Sequence, residues 1–130
     1  MPFLQARHPN HLTSEHSILV ENLLEMALSG RQEVVDATIE MLADFHVFGT
    51  NSRFAQKLKN TPLWELKTRS RGGLKGGARV YFFVVDDELI VVNVEYKTGN
   101  DPSPQKILEA MIVLKAYLNR VLVVERNENV

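Results

Sequence analysis

Residues 79–97 read RVYFFVVDDELIVVNVEYK, and the fold class turns on them. Two runs of β-branched and aromatic residues flank the acidic tripeptide Asp86-Asp87-Glu88, which predicts two strands, Arg79–Val85 and Leu89–Lys97, joined by a tight turn. Strands joined so closely are antiparallel. Upstream, Leu63–Thr68 reads as a third strand that places Leu63, Glu65 and Lys67 on one face and Trp64 and Leu66 on the other. Ser70–Gly77 follows it, and its four glycines predict a turn between strands. Downstream, Pro102 and Pro104 end the sheet. Ile107, Met111, Leu114 and Leu118 then recur at helical spacing, so a final helix is expected across one sheet face.

Toward the N-terminus the apolar period becomes helical. Thr13-Ser14-Glu15-His16 has the character of an N-cap with a first-turn acid, and Ile18, Leu19, Leu23, Met26 and Ala27 continue the pattern until Ser29-Gly30. Val34, Val35, Thr38, Ile39, Leu42, Ala43 and Phe45 form a second amphipathic stretch, with Gly49 placed as its stop. Ser52–Lys59 suits a short basic helix that turns Phe54 and Leu58 to the core. Phe3–Arg7 has the length of an edge strand. The expected class is therefore α+β: an N-terminal helical hairpin, an antiparallel sheet of three to four strands with its helices on one side, and a C-terminal helix. Phe82, Val84, Ile90, Val92 and Trp64 are expected in the core.

Composition narrows the function. With 130 residues, 45% hydrophobic content and no cysteine, the chain reads as one globular domain over residues 1–130, with 1–30 as an N-terminal extension. The absence of cysteine excludes thiol catalysis, disulfide frameworks and Cys-based zinc sites. No apolar run approaches the roughly 20 residues that span a bilayer, and the first residues lack the basic and apolar regions of a signal peptide, so a cytoplasmic protein without membrane partners is expected. The net charge of -1 hides an asymmetry. Residues 53–79 hold eight basic residues against one acidic, a surplus of seven, while the rest of the chain holds seven basic against fifteen acidic. A cationic segment on an acidic body attracts anionic partners locally.

Along that segment, Lys67 and Arg69 project to one face of their strand, and Arg79, Tyr81 and Phe83 share a face of the next. If that face is open, several cations and a phenol converge on a surface suited to a phosphodiester. Backbone cleavage of RNA by its own 2′-hydroxyl builds charge on a five-coordinate phosphate, and preorganised cations stabilise that state beyond the ground state without any metal. A lysine among other cations can also move a proton. Two other features suggest less. His8, His11 and His16 lack the paired ligands of a metal site, and the glycines at 72–77 lack the Gly-Lys-Ser/Thr ending of a phosphate-binding P-loop.

The string Leu63-Trp64-Glu65-Leu66-Lys67, a basic glycine-rich turn, Ala78-Arg79-Val80-Tyr81-Phe82-Phe83, an acidic turn, Ile90–Thr98 and a proline followed by a helix resembles the RelE/ParE toxin superfamily, most nearly its phage-derived, HigB-like branch. The resemblance covers residues 34–117. It implies a toxin of a type II toxin–antitoxin module: an mRNA interferase that cuts message on the ribosome without a cofactor or metal. The alternatives it carries are a ParE-like inhibitor of DNA gyrase and an inactive phage-derived remnant that binds only an antitoxin. The cognate antitoxin is the expected protein partner, in a hetero-oligomer or beside a homodimer. Carried over by position, Lys67, Arg69 and Arg79 are the catalytic candidates and Tyr96 and Lys97 substrate-binding ones; Tyr81, on the face of Arg79, and Arg71 and Lys75, from the basic segment, complete the expected substrate-binding set. On this reading Arg79→Ala removes activity and leaves the fold intact. The carry-over stops there, because residues 99–105 hold no tyrosine and all four histidines precede residue 47.

Overall fold

The computed structural model describes residues 1–7, 17–68, 77–96, 102–119 and 124–125. Asp86 and Asp87 both take positive φ, 51° and 66°, as a two-residue type I′ turn requires. Short polar side chains tolerate this conformation, and its twist matches that of the flanking strands. Strand β4 (Ala78–Val85) therefore runs straight back into β5 (Glu88–Tyr96), and β3 (Leu63–Lys67) pairs antiparallel with β4, with Lys67 opposite Arg79 and Leu63 opposite Phe83. These are the three expected strands.

The sheet extends further on both sides. Strand β2 (Ala55–Lys57) pairs antiparallel with β3, where the sequence predicts a basic helix. Strand β1 (Leu4–Ala6) lies parallel to β5, and β6 (Val124–Glu125) pairs with β1, which is thus an interior strand. The order β2-β3-β4-β5-β1-β6 makes a mixed sheet of six strands in place of the expected antiparallel sheet of three to four.

Helix α1 (Ile18–Leu28) begins one residue after Ser17, whose Oγ accepts from the Val20 amide at 3.1 Å and donates to Gln5 Oε1 at 2.7 Å. Ser17 is thus the cap; the expected cap at 13–16 lies outside the described residues. Helix α2 (Gln32–Phe48) stops at Gly49, which has φ 57°, and a Cβ there would sit 2.5 Å from Met1 Sδ. The positive-φ backbone favours glycine there, whereas the exposed end of the Met1 side chain can move aside. Helix α3 (Pro104–Leu118) starts with proline in its first turn and Ser103 as its cap.

The two faces of the sheet carry separate cores. Leu19, Val34, Met41 and Phe45 from α1 and α2 pack on Leu66, Val80, Phe82 and Val91. On the other face Ala110, Val113 and Leu114 of α3 cover Leu63, Tyr81, Phe83, Ile90 and Val92. Helices therefore lie on both sides, correcting the one-sided arrangement. Phe82 is the centre of the first core, 4.5 Å from the Phe45 ring and 5.9 Å from that of the half-buried Trp64. Val84, expected inside, is 38% exposed beside the turn. A bulge after Tyr81 pairs Tyr81 with Asn93 but Phe82 with Val91, so Val92 and Asn93 both reach the α3 side. Among the described residues no helix is long and apolar enough to cross a membrane.

Candidate phosphate-binding groove and its buried ion-pair network

Alternation brings Glu65 and Lys67 of β3, Arg79 and Tyr81 of β4, and Asn93 and Glu95 of β5 to the face that α3 covers. They do not form an open cationic surface. Arg79 is 1% exposed; its Nη1 donates to Glu65 Oε2 at 2.7 Å, and its Nε lies 3.8 Å from Glu95 Oε1. The same Glu95 oxygen accepts from the Tyr81 hydroxyl at 2.8 Å and from the Ser103 amide at 3.1 Å. Glu95 thereby ties the start of α3 to the sheet. A buried charge is tolerated only when it is paired and hydrogen-bonded, and each of these three charges meets that condition through the others.

Burial raises the Tyr81 phenol far above its ordinary value, the hydrogen bond to Glu95 and the charges of Glu95 and Glu65 raise it further, and Arg79 opposes them in part. Neutral Tyr81 is therefore the folded form. Because the folded value exceeds the unfolded value of 10.0, the associated stability is fully present below pH 10 and is lost as pH rises beyond it. Ultraviolet difference titration should accordingly show one tyrosine ionising only as the fold is lost, while Tyr81→Phe shifts that alkaline transition upward.

The accessible cations lie just beyond the network. Lys57, Lys59 and Lys67 line a groove of about 350 Å³ with Glu65, and Thr61, Pro102 and Ile107 contribute to its walls. Lys57 Nζ donates to the Thr61 carbonyl, which fixes one ammonium at the rim. Lys67 is half-buried and occupies the register position opposite Arg79. Glu65, 2% exposed and held by Arg79, sits at the base of the groove. The amines of Lys57, Lys59 and Lys67 along one groove can bind a phosphodiester.

The sequence-derived residues therefore separate. Lys67 lies in the groove, while Arg79 and Tyr81 are buried with their polar atoms engaged, so neither presents a free tip to a ligand and Arg79 does not join Lys67 on an exposed face. Tyr96 is on the opposite face, with the Arg31 guanidinium 4.3 Å above its ring. Arg69, Arg71, Lys75 and Lys97 lie outside the described residues. Sequence reasoning missed Glu65, Lys57 and Lys59 as groove residues, although Glu65 and Lys67 were assigned to one face. Among the described residues no group of three or more His, Asp or Glu is placed to hold a metal. No protein-family profile matches the chain, and no curated protein matches it.

Proposed function

We propose that the protein is the toxin of a type II toxin–antitoxin module with RelE/ParE-type architecture, acting as an endoribonuclease on mRNA. The observation that carries this reading is the groove that Lys57, Lys59 and Lys67 line together with Glu65. The sequence resemblance supports it, as does the order of three antiparallel strands followed by a capped helix. In the proposed reaction Glu65 takes the proton of a 2′-hydroxyl as its oxygen bonds to the adjacent phosphorus. The bond to the 5′-oxygen breaks, that oxygen takes a proton from Lys67, and a 2′,3′-cyclic phosphate and a 5′-hydroxyl remain. The lysines neutralise the charge that grows on the phosphate. Arg79 and Glu95 position Glu65. The cognate antitoxin would block the groove with an acidic segment.

A second reading is favoured by the burial of Arg79 between two carboxylates. With that guanidinium turned inward, the domain serves as a binding scaffold, directed at gyrase or at an antitoxin alone. Fluorescence anisotropy with an unstructured oligoribonucleotide separates the readings. Three phosphate contacts give a log-log salt slope of about -2, at roughly -0.7 per phosphate for single strands. The triple substitution Lys57→Ala, Lys59→Ala and Lys67→Ala should flatten that slope. Salt-insensitive or absent RNA binding would sink the nuclease reading and leave the scaffold.

A further inference from the structure

A second cavity, of about 310 Å³, opens where β5 runs beyond the end of β1, between the C-terminal half of α1 and the first turn of α3. Its lining combines a cation–π pair with hydrogen-bonding groups. Arg31 lies over the Tyr96 ring at 4.3 Å, and Arg31 is exposed, so the outer face of its guanidinium can accept a third planar layer. Asn22, Glu25 and Met26 line the cavity from α1, where spacings of three and four put them on one helix face. The Asn22 side chain is oriented: its Oδ1 accepts from the Val94 amide at 3.2 Å, which leaves the Nδ2 donors for a ligand. Glu25 contributes acceptors only.

We propose that this cavity binds an unpaired guanine base. Unstacked bases are recognised by stacking on aromatic rings or guanidinium planes together with hydrogen bonds along the Watson–Crick edge. Guanine alone among the four bases carries two adjacent donors, N1–H and the N2 amino group, beside an oxygen acceptor. The Glu25 carboxylate accepts the two donors and Asn22 Nδ2 donates to O6. Adenine and cytosine place a ring-nitrogen acceptor where Glu25 needs a donor, and uracil sets two carbonyls around its single N–H. Lys106, also lining the cavity, meets the phosphate attached to the base.

The inference rests on the RNA reading and deepens it. Ile107 and Pro102 line the lysine groove while Lys106 lines this cavity, so the first turn of α3 separates the two. Sheet spacing sets them two to three strands apart, about 10–15 Å, within reach of one RNA segment. The site therefore gives an RNA-cutting domain a base preference near the bond it cleaves.

The test uses the full chain with a uridine-rich oligoribonucleotide carrying one guanosine, its adenosine-substituted counterpart, and guanosine 5′-monophosphate alone. The guanosine oligonucleotide should bind about tenfold or more tightly than the adenosine one, as a good bidentate contact provides. Glu25→Gln, at an exposed helix position, should remove that preference with the salt slope unchanged. Equal affinity for the two oligonucleotides with the salt slope intact would overturn the guanine site and leave the phosphate reading standing. A preference that survives Glu25→Gln would overturn it as well. Conversely, Glu25-dependent binding of the mononucleotide without salt-dependent oligonucleotide binding would support the cavity and end the RNA reading.

Discussion

Arg79→Ala should cost about 3–5 kcal/mol of stability, the loss expected when one partner of a buried ion pair is removed. Against a typical total of about 5–15 kcal/mol for a domain, this is enough to leave a substantial fraction unfolded under mild stress. The reason is specific. Arg79 is the guanidinium between Glu65 at 2.7 Å and Glu95 at 3.8 Å, and without it two carboxylates remain inside with no cation between them. Urea unfolding followed by circular dichroism should move the midpoint down by about 1.5–2.5 M, for a slope of about 2 kcal/mol/M. Removing the charges together, as Arg79→Met with Glu65→Leu and Glu95→Leu, should recover part of that loss, because replacing a whole buried ion set by apolar groups of similar volume is often neutral. If Arg79→Ala unfolds like the parent, the network is not a structural tie and Arg79 is available for another role. Loss of toxicity in this variant would not by itself locate the chemistry, contrary to the sequence-based expectation of an intact fold.

The sequence disclosed the sheet centre because each local signal agreed there. Asp86 and Asp87 could take the left-handed turn, the alternation of Leu63 through Lys67 matched its neighbours, and Gly49 ended α2 where the backbone turns to positive φ. Strand β2 was hidden because three residues carry no period, while Phe54 and Leu58, four apart, mimic a helix. The side taken by α3 was written less directly, in Ile90-Val91-Val92 and Val80-Tyr81-Phe82-Phe83. Continuous apolar runs of this kind mark strands covered on both faces, and both are fully buried. Arg79 was misread for the same reason. A cation within an apolar strand that has Glu95 as its direct register partner and Glu65 two residues from Lys67 along the adjacent strand is placed for internal pairing. The lysine groove needed the real position of β2, since Lys57 and Lys59 join Lys67 only after that segment pairs with β3.

Glu65→Gln should separate binding from chemistry. The amide keeps the size of the side chain and can still accept from Arg79 Nη1 through its oxygen, so the variant should stay folded, with a cost near the 1–3 kcal/mol of a weakened charged hydrogen bond. The amines at Lys57, Lys59 and Lys67 are untouched, so RNA affinity and its salt slope should stay within about twofold or rise slightly as the negative charge leaves the groove. A carboxamide cannot take the 2′-hydroxyl proton. Cleavage under single-turnover conditions, read as accumulation of 2′,3′-cyclic phosphate ends, should therefore fall about 10²- to 10⁴-fold, the contribution of a positioned general base. Glu95→Gln is the control for an effect that acts only by positioning: it perturbs the hub that holds Arg79 and Ser103 without removing the proposed base, so its cleavage should fall less than that of Glu65→Gln. Undiminished cleavage in Glu65→Gln would remove the carboxylate from the reaction. Parent protein that binds RNA with the expected salt slope yet yields no cyclic ends would leave the groove as a docking surface, and the inward turn of Arg79 would then mark a domain built to hold a partner.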